Sequence, residues 1–511
     1  MGWKEESGNK TFLEGEIGSF SKKFGDLSIA LVYPGNYSAG MSGLGFQKIY
    51  RELNLVDIFR CERAFTFPSK GYSLERAERL CFFDVVSFSV CFELQYLKIA
   101  EILKSGGIPV SVNDRGDRDP IVTAGGICIF MNPVPLYNIV DVFWIGEFES
   151  KGLELYHELL KSKGLSRRER LKRVSEIPGC LVPSVNDKKK YEINRAGFEN
   201  MESSCSSLIS DGAQFKMWLV EVSRGCGWGC RFCAVKWVCG AARYRDKKFI
   251  FADIREGLSR GLKIGLVGPS ILDHPYIEEI CEGIVRINGE FSISSARVER
   301  LTENLVSLLV SGGIRQVTIA PETADCAARK KLNKKFEDEK VFNALNICSQ
   351  AGIKSVKLYF MYGFPFEEDV AGFGDFISKA GKIINISVSC SPFIPKPHTP
   401  LQWDGMKSKT KLKALFNEIK SSVKSLRIKD FGGEDIKSSL VQGALSRSGR
   451  EVFHAVMAGR MSSKEAEALA TRKYEFEYAL PWDSLVTGCD KELLWKERGK
   501  AFNNTNRHEY K

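Results

Sequence analysis

Short apolar runs recur through the first third of the chain, and stretches with helical spacing separate them. Residues 28–33 (SIALVY), 85–90, 108–112, 121–124 and 140–145 read as buried strands. Residues 44–53 and 93–104 carry apolar positions at helical intervals, with Leu94, Leu97 and Ile102 on the inner side of the second. Continuous apolar strands alternating with helices predict an α/β domain over 26–160, a doubly wound parallel sheet. Ligands of such sheets lie beyond the carboxyl ends of the strands. Three stretches fall there: residues 34–43, residues 87–93 with Ser87 and Ser89, and the pair Gly125 and Gly126.

The alternation restarts near residue 214. Runs at 217–222, 263–267, 291–296, 316–320, 356–361 and 386–391 are each followed by a helix-like segment such as LTENLVSLLVSGG. That pattern predicts a partial (β/α)6 barrel over 213–403, with polar groups gathered at the strand ends. Lys357 and Tyr359 alternate on the fifth strand, so both are expected to face the barrel interior. Together with His398, in the proline-rich PFIPKPHTPLQW, they are the candidate catalytic groups. Residues 1–25 read as a loose leader. Residues 161–212 read as a charged linker with a short hairpin and solvated basic runs. Residues 404–511 read as a small helical cap with a polar tail from 503, and Leu412, Leu415, Phe416 and Ile419 form its apolar stripe.

Composition adds boundaries. Of 511 residues, 43% are hydrophobic and 27% charged, the balance of a soluble chain of two or three domains. No apolar run is long enough to span a membrane, and the N-terminus has no apolar signal core, so a cytoplasmic location is expected. The net charge of +11 allows an anionic partner such as RNA, but solvated lysine-rich faces account for it equally. Most of the fifteen cysteines, including Cys91, Cys128, Cys281 and Cys348, sit in apolar surroundings and read as small buried hydrophobes. Cys239 and Cys489 read as structural thiols.

Three cysteines stand apart. Cys226, Cys230 and Cys233 follow the first barrel strand at Cys-x3-Cys-x2-Cys spacing, among Gly225, Gly227 and Gly229. Three thiolates on one short loop can hold three irons of a [4Fe–4S] cubane and leave the fourth iron open. A structural zinc site needs a fourth ligand, usually from a second Cys/His pair, and no second Cys-x2-Cys occurs. The loop resembles the signature of the radical S-adenosylmethionine (SAM) superfamily.

That resemblance implies SAM on the open iron, an external electron donor such as ferredoxin or flavodoxin, and reductive cleavage to a 5′-deoxyadenosyl radical. It also implies SAM contacts from Phe232, Gly268, Ser270, Arg297, Glu322 and Gly363. Gly268-Pro269-Ser270 stands where family members often carry Gly-Gly-Glu. The domain at 26–160 resembles the cobalamin-binding-type domain that precedes the barrel in many members, which implies cobalamin at Ser87, Ser89, Gly125 and Gly126. The Asp-x-His-x-x-Gly element of that domain is missing, and no histidine precedes His157. The alternative is a Rossmann-like domain that only packs on the barrel. PKPHTPLQW resembles a stretch of the same group. The expected function is therefore a radical SAM enzyme acting on an unactivated carbon, with cobalamin-dependent methyl transfer favoured. One alternative is cobalamin-free C–C or C–S bond formation on a peptide, lipid or RNA. Another, of a different class, is a non-catalytic iron–sulfur protein that binds RNA or a partner. The expected partners are SAM and a substrate drawn from proteins, lipids, RNA or small molecules.

Overall fold

The protein's structure, a computed structural model, describes residues 13–502. The first half of the expected leader and the tail from 503 lie outside the described residues. The N-terminal sheet contains β1 (Leu27–Asn36), β2 (Phe59–Phe67), β3 (Val85–Ser89), β4 (Ile121–Gly125), β5 (Val142–Trp144) and β6 (Cys180–Leu181). Their order is β2-β1-β3-β4-β5-β6, parallel throughout except for the antiparallel edge β6. Helices Leu44–Leu55 and Phe148–Lys161 cover one face. Helices Tyr96–Ser105 and Ile127–Met131 cover the other. The expected doubly wound sheet is present.

Several local readings change. The run 108–112 is not a strand: Ile108 and Val110 are buried beside the sheet, and Pro109 between them has no N–H to pair. The inner side of the following-strand helix is Tyr96, Ile99, Ile102 and Leu103, while Leu94 and Leu97 sit at its margin. Strand β2 was hidden by its charges. Arg60, Glu62 and Arg63 are all buried there, and each is paired: Arg60 with Glu62 and with Glu78 (2.6 Å), Arg63 with Glu16 (2.6 Å) and Glu75 (2.7 Å). The described part of the leader is therefore bound. Glu16–Ile17 pairs with Ile209–Ser210, and the Glu16 side chain has no exposure. The linker forms no hairpin within itself. It supplies helix Arg167–Val174 and β6 to the first domain, and Arg167 is buried on Asp141 (2.7 Å) rather than solvated.

The barrel strands are β7 (Trp218–Glu221), β8 (Ile264–Val267), β9 (Phe291–Ser292, resuming at Ser295–Ala296), β10 (Gln316–Glu322), β11 (Ser355–Tyr362) and β12 (Asn385–Pro392). All neighbours pair in parallel. A seventh strand, β13 (Asp430–Gly433), extends the sheet beyond β12. It lies in the segment expected to be wholly helical. Two consecutive glycines and the aspartate gave FGG no strand signature. Helices Lys409–Val423, Ile436–Arg447, Phe453–Ala458, Ser463–Ala470 and Lys491–Ala501 complete the C-terminal part. Among the described residues no helix is long and apolar enough to cross a membrane.

Removing one member of a buried ion pair leaves an uncompensated charge. Because Glu75 stays on Arg63, Glu16→Ala should cost about 3 kcal/mol, the low end of that effect. The check is a fall in the urea unfolding midpoint with an unchanged slope.

Candidate active site

The cysteine loop has fixed feet. Ser223–Arg224 pairs antiparallel with Arg243–Tyr244, so the segment between them closes on itself. Gly225 (φ +68°) needs its glycine: a Cβ there would lie 2.1 Å from the Ala241 carbonyl oxygen. Cys226 N–H donates to Gly240 O (3.1 Å), and helix Ala234–Cys239 starts directly after Cys233. Burial, together with the charges of the other two sulfurs, pushes the Cys233 thiol up to about 12. Burial and Cys230 also raise Cys226. The three sulfurs thus share one electrostatic neighbourhood. Among the described residues, no group of three or more His, Cys, Asp or Glu could hold a single metal ion.

Arg297, at the end of β9, lies against this loop. Its Nη1 is 3.9 Å from Cys230 Sγ, its Nη2 donates to Glu299 (2.6 Å), and its guanidinium stacks 3.7 Å from the centre of the Trp228 ring. Its Nε and Glu299 Oε2 are buried without a partner. Unpaired polar atoms at such a place mark room for a ligand.

Glu322 ends β10 with φ +70°, a left-handed conformation that strains a non-glycine residue by roughly 1–2 kcal/mol. It is nearly buried, within electrostatic reach of Cys233, and paired with Lys334 (2.7 Å). It does not cap the next helix; Asp325 does that. Gly363 (φ +78°) turns the chain after β11, and its N–H donates to Glu368 Oε1 (2.5 Å). Burial pushes the Glu368 carboxyl up to about 7 against that hydrogen bond. Phe232 packs against the apolar cluster that contains Phe364, Phe393 and Leu401 beside this turn.

Two expected SAM contacts have other duties as well. A Cβ on Gly268 would strike Ser223 Oγ at 2.3 Å, so this glycine permits close strand packing. The Ser270 hydroxyl is engaged by Asp273, which also accepts from Trp228 Nε1 and Arg300 Nε. Asp273 and Lys334 were missed. Neither carries a local signal, because a lone acid or base reads as solvated until partners such as Trp228, Arg300 and Glu322 are seen.

Ser87, Ser89, Gly125 and Gly126 line one cavity of about 340 Å³ at the carboxyl edge of the first sheet. On its floor, Thr123 Oγ1 donates to Ser87 Oγ (2.8 Å), which also bonds the Tyr156 hydroxyl (2.7 Å). Glu221, Arg224 and Val267 of the barrel close its other side. No histidine lines it, and His157 packs instead on Phe59, ring centres 4.9 Å apart.

His398 is withdrawn as a catalytic candidate. It is buried, its Nε2 lies 3.1 Å from the Met131 carbonyl, and its backbone N–H donates to Gln402 (2.8 Å). Lys357 and Tyr359 do share one face of β11, and both are at least partly open. Cys128, Cys281 and Cys348 are buried as expected, whereas Cys91 is exposed. Burial raises the Cys239 and Cys489 thiols, the first to about 11, which suits a structural part.

Residues 220–377 match the family model described as Radical SAM superfamily. The chain belongs to the radical SAM superfamily. Residues 45–183 of this radical SAM protein match a second model, described as Radical SAM proteins, N-terminal. The uncharacterized protein MJ0966 of Methanocaldococcus jannaschii is 27% identical over 436 residues, 81% of this chain and 88% of the relative. Among solved structures, the radical SAM methyltransferase TsrM from Kitasatospora setae, with cobalamin and [4Fe–4S] cluster bound, has a TM-score of 0.52. It is 14% identical, and the match covers 74% of this chain and 77% of that one. The cobalamin-dependent radical SAM enzyme OxsB, with aqua-cobalamin and SAM bound, has a TM-score of 0.49 at 16% identity, over 71% and 53% of the chains. Membership of the superfamily implies a [4Fe–4S] cluster and SAM as cofactors. The cysteine donor set and the unpaired polar atoms of Arg297 and Glu299 fit them.

Burial lowers the His398 pKa from 6.5 to about 4, against the hydrogen bond to the Met131 carbonyl. Between those values the unfolded chain takes up a proton that the folded chain refuses. Stability is therefore full above about pH 6.5 and declines as pH falls towards 4, by up to about 3 kcal/mol at about 1.4 kcal/mol per unit. His398→Asn should flatten that decline; urea midpoints at about pH 7.5 and about pH 5, compared with wild type, check it.

Proposed function

We propose that this radical SAM enzyme is a cobalamin-dependent methyltransferase acting on an unactivated carbon. The carrying observation is the cavity at the carboxyl edge of the first sheet, whose barrel side is Arg224, two residues before Cys226. In a sheet of order 2-1-3-4-5 that edge is the usual ligand position. The hydroxyl floor and apolar walls suit a flat heteroaromatic group with polar edges. When bound, cobalamin supplies a transferable methyl group, and the cluster with SAM supplies the initiating radical.

The chain's own residues bind and orient. Cys226, Cys230 and Cys233 hold the cluster through three irons. Arg297 keeps a cation beside Cys230 and offers its unpaired Nε–H to the SAM carboxylate, a charge-assisted contact. Glu322, held in its strained conformation, presents a carboxylate to the amino group or ribose hydroxyls of SAM, exchanging its bond to Lys334. Phe232 and the backbone at Gly363 flank the adenine, and Gly268 and Ser270 border the methionyl end. Ser87, Ser89, Gly125 and Gly126 line the cobalamin cavity. A reduced ferredoxin or flavodoxin is the proposed electron donor, and a cytoplasmic location goes with it.

Anaerobic reconstitution followed by cobalamin titration tests the reading. The visible bands should shift and saturate near one cobalamin per chain, and turnover should yield S-adenosylhomocysteine as well as 5′-deoxyadenosine. No shift at stoichiometric cobalamin, or 5′-deoxyadenosine alone, rejects methyl transfer in favour of cobalamin-free radical chemistry. Ser89→Trp should fill the cavity and weaken cobalamin binding at least about tenfold, the equivalent of about 1.4 kcal/mol, with reductive SAM cleavage retained.

A further inference from the structure

Strands β9 to β13 pair in register, which sorts their side chains into rows. Ser295, Thr318, Lys357, Ser387 and Asp430 occupy one row. Tyr359 and Ser389 occupy the row above, and Met361 and Ser391 the one above that. The other face of β11 carries Val356, Leu358, Phe360 and Tyr362, all buried beneath helices. The hydroxyl-bearing face is therefore the barrel interior.

A (β/α)8 barrel fills its interior with branched apolar side chains. This interior holds hydroxyls, one amine, the Asp430 carboxylate two strands away from that amine, and an aromatic residue, Tyr359, that is 39% exposed. The Lys357 ammonium lies 4.8 Å from the centre of that ring. Among the described residues no carboxylate pairs with Lys357. A wall made to be packed and dry would not carry an amine without a counter-charge. An exposed ring beside an unpaired cation is a surface for something flat and acidic.

We propose that this wall binds the substrate and that the substrate is a flat organic anion. Its acid group bonds Lys357, its planar body lies on Tyr359, and the serines of β12 fix its polar edge. The end to be modified points past Met361, which stands just before Tyr362 and the Gly363 turn on the cluster side. Four residues of strand separate Lys357 from Met361, about 13 Å, and this sets the spacing between the acid and the reacting end. The inference rests on the barrel being the place of chemistry. Its readout is binding alone, so a failure of methyl transfer and a failure of this site are separately visible.

Benzoate is the probe, with benzyl alcohol as its uncharged counterpart, on the anaerobically reconstituted full chain with SAM. Acylation of Lys357 by N-hydroxysulfosuccinimide acetate, followed by peptide mass spectrometry, should slow in benzoate and not in benzyl alcohol. By saturation-transfer NMR, Lys357→Met should weaken benzoate binding about tenfold, the loss of one charge-assisted contact, and Lys357→Arg should preserve it. Retention of the cluster's visible band shows that each variant is folded. Equal protection by benzyl alcohol, absence of protection by benzoate, or unchanged benzoate binding in Lys357→Met would overturn the proposal.

Discussion

Arg224 joins the two halves of the molecule. Its guanidinium reaches Glu221 (2.8 Å) at the end of β7 and Glu147 (3.0 Å) and Glu149 (2.7 Å) after β5, and it stacks on Phe198. Lys48 adds a second cation on Glu149 (2.6 Å), and Arg243 a third on Glu147. Three cations thus face three carboxylates in a largely buried network. Burial alone would raise the Glu149 carboxyl, but Lys48 and Arg224 hold it down at about 2, so the network stays ionised at neutral pH. Buried charges are tolerated only with partners in good geometry, so the relative position of the domains is constrained there. Arg224 and Arg243 are also the paired feet of the cysteine loop. The cavity wall and the cluster loop therefore share one set of ionic contacts.

A second seam holds the sixth barrel strand's tail to the first domain. Glu93 pairs with Lys396 and accepts from Gln442 (2.9 Å), while Asn132 donates to the carbonyls of Ser446 and Ser448. His398 belongs to this seam through Met131. PKPHTP is thus a docking segment, and its histidine is neutral because the seam is dry. The barrel interior is the opposite environment. It leaves hydroxyls and an ammonium open on rows that a packed barrel would fill, and the strained Glu322 stands at its upper rim. Dry contacts on the outside and polar surface within are what a barrel needs to hold a ligand rather than a core.

The chain itself determined the alternation of strands and helices, the two α/β units and the cysteine loop. Each of these is written in short-range spacing: runs of buried residues, periods of two and of 3.6, and three sulfurs within one loop. The alternation of Lys357 and Tyr359 on β11 was equally local. Only the folded structure decided that Phe59–Phe67 is a strand, that Pro109 is not in one, that FGG extends the barrel and that His398 is buried. It also decided the partners of Glu322, Ser270 and Arg224, which are Lys334, Asp273 and carboxylates from the other domain. The reason is physical. A charged residue in a strand reads as solvated until its counter-charge is seen, and partners such as Glu16 and Glu75 of Arg63 stand where no local period can announce them.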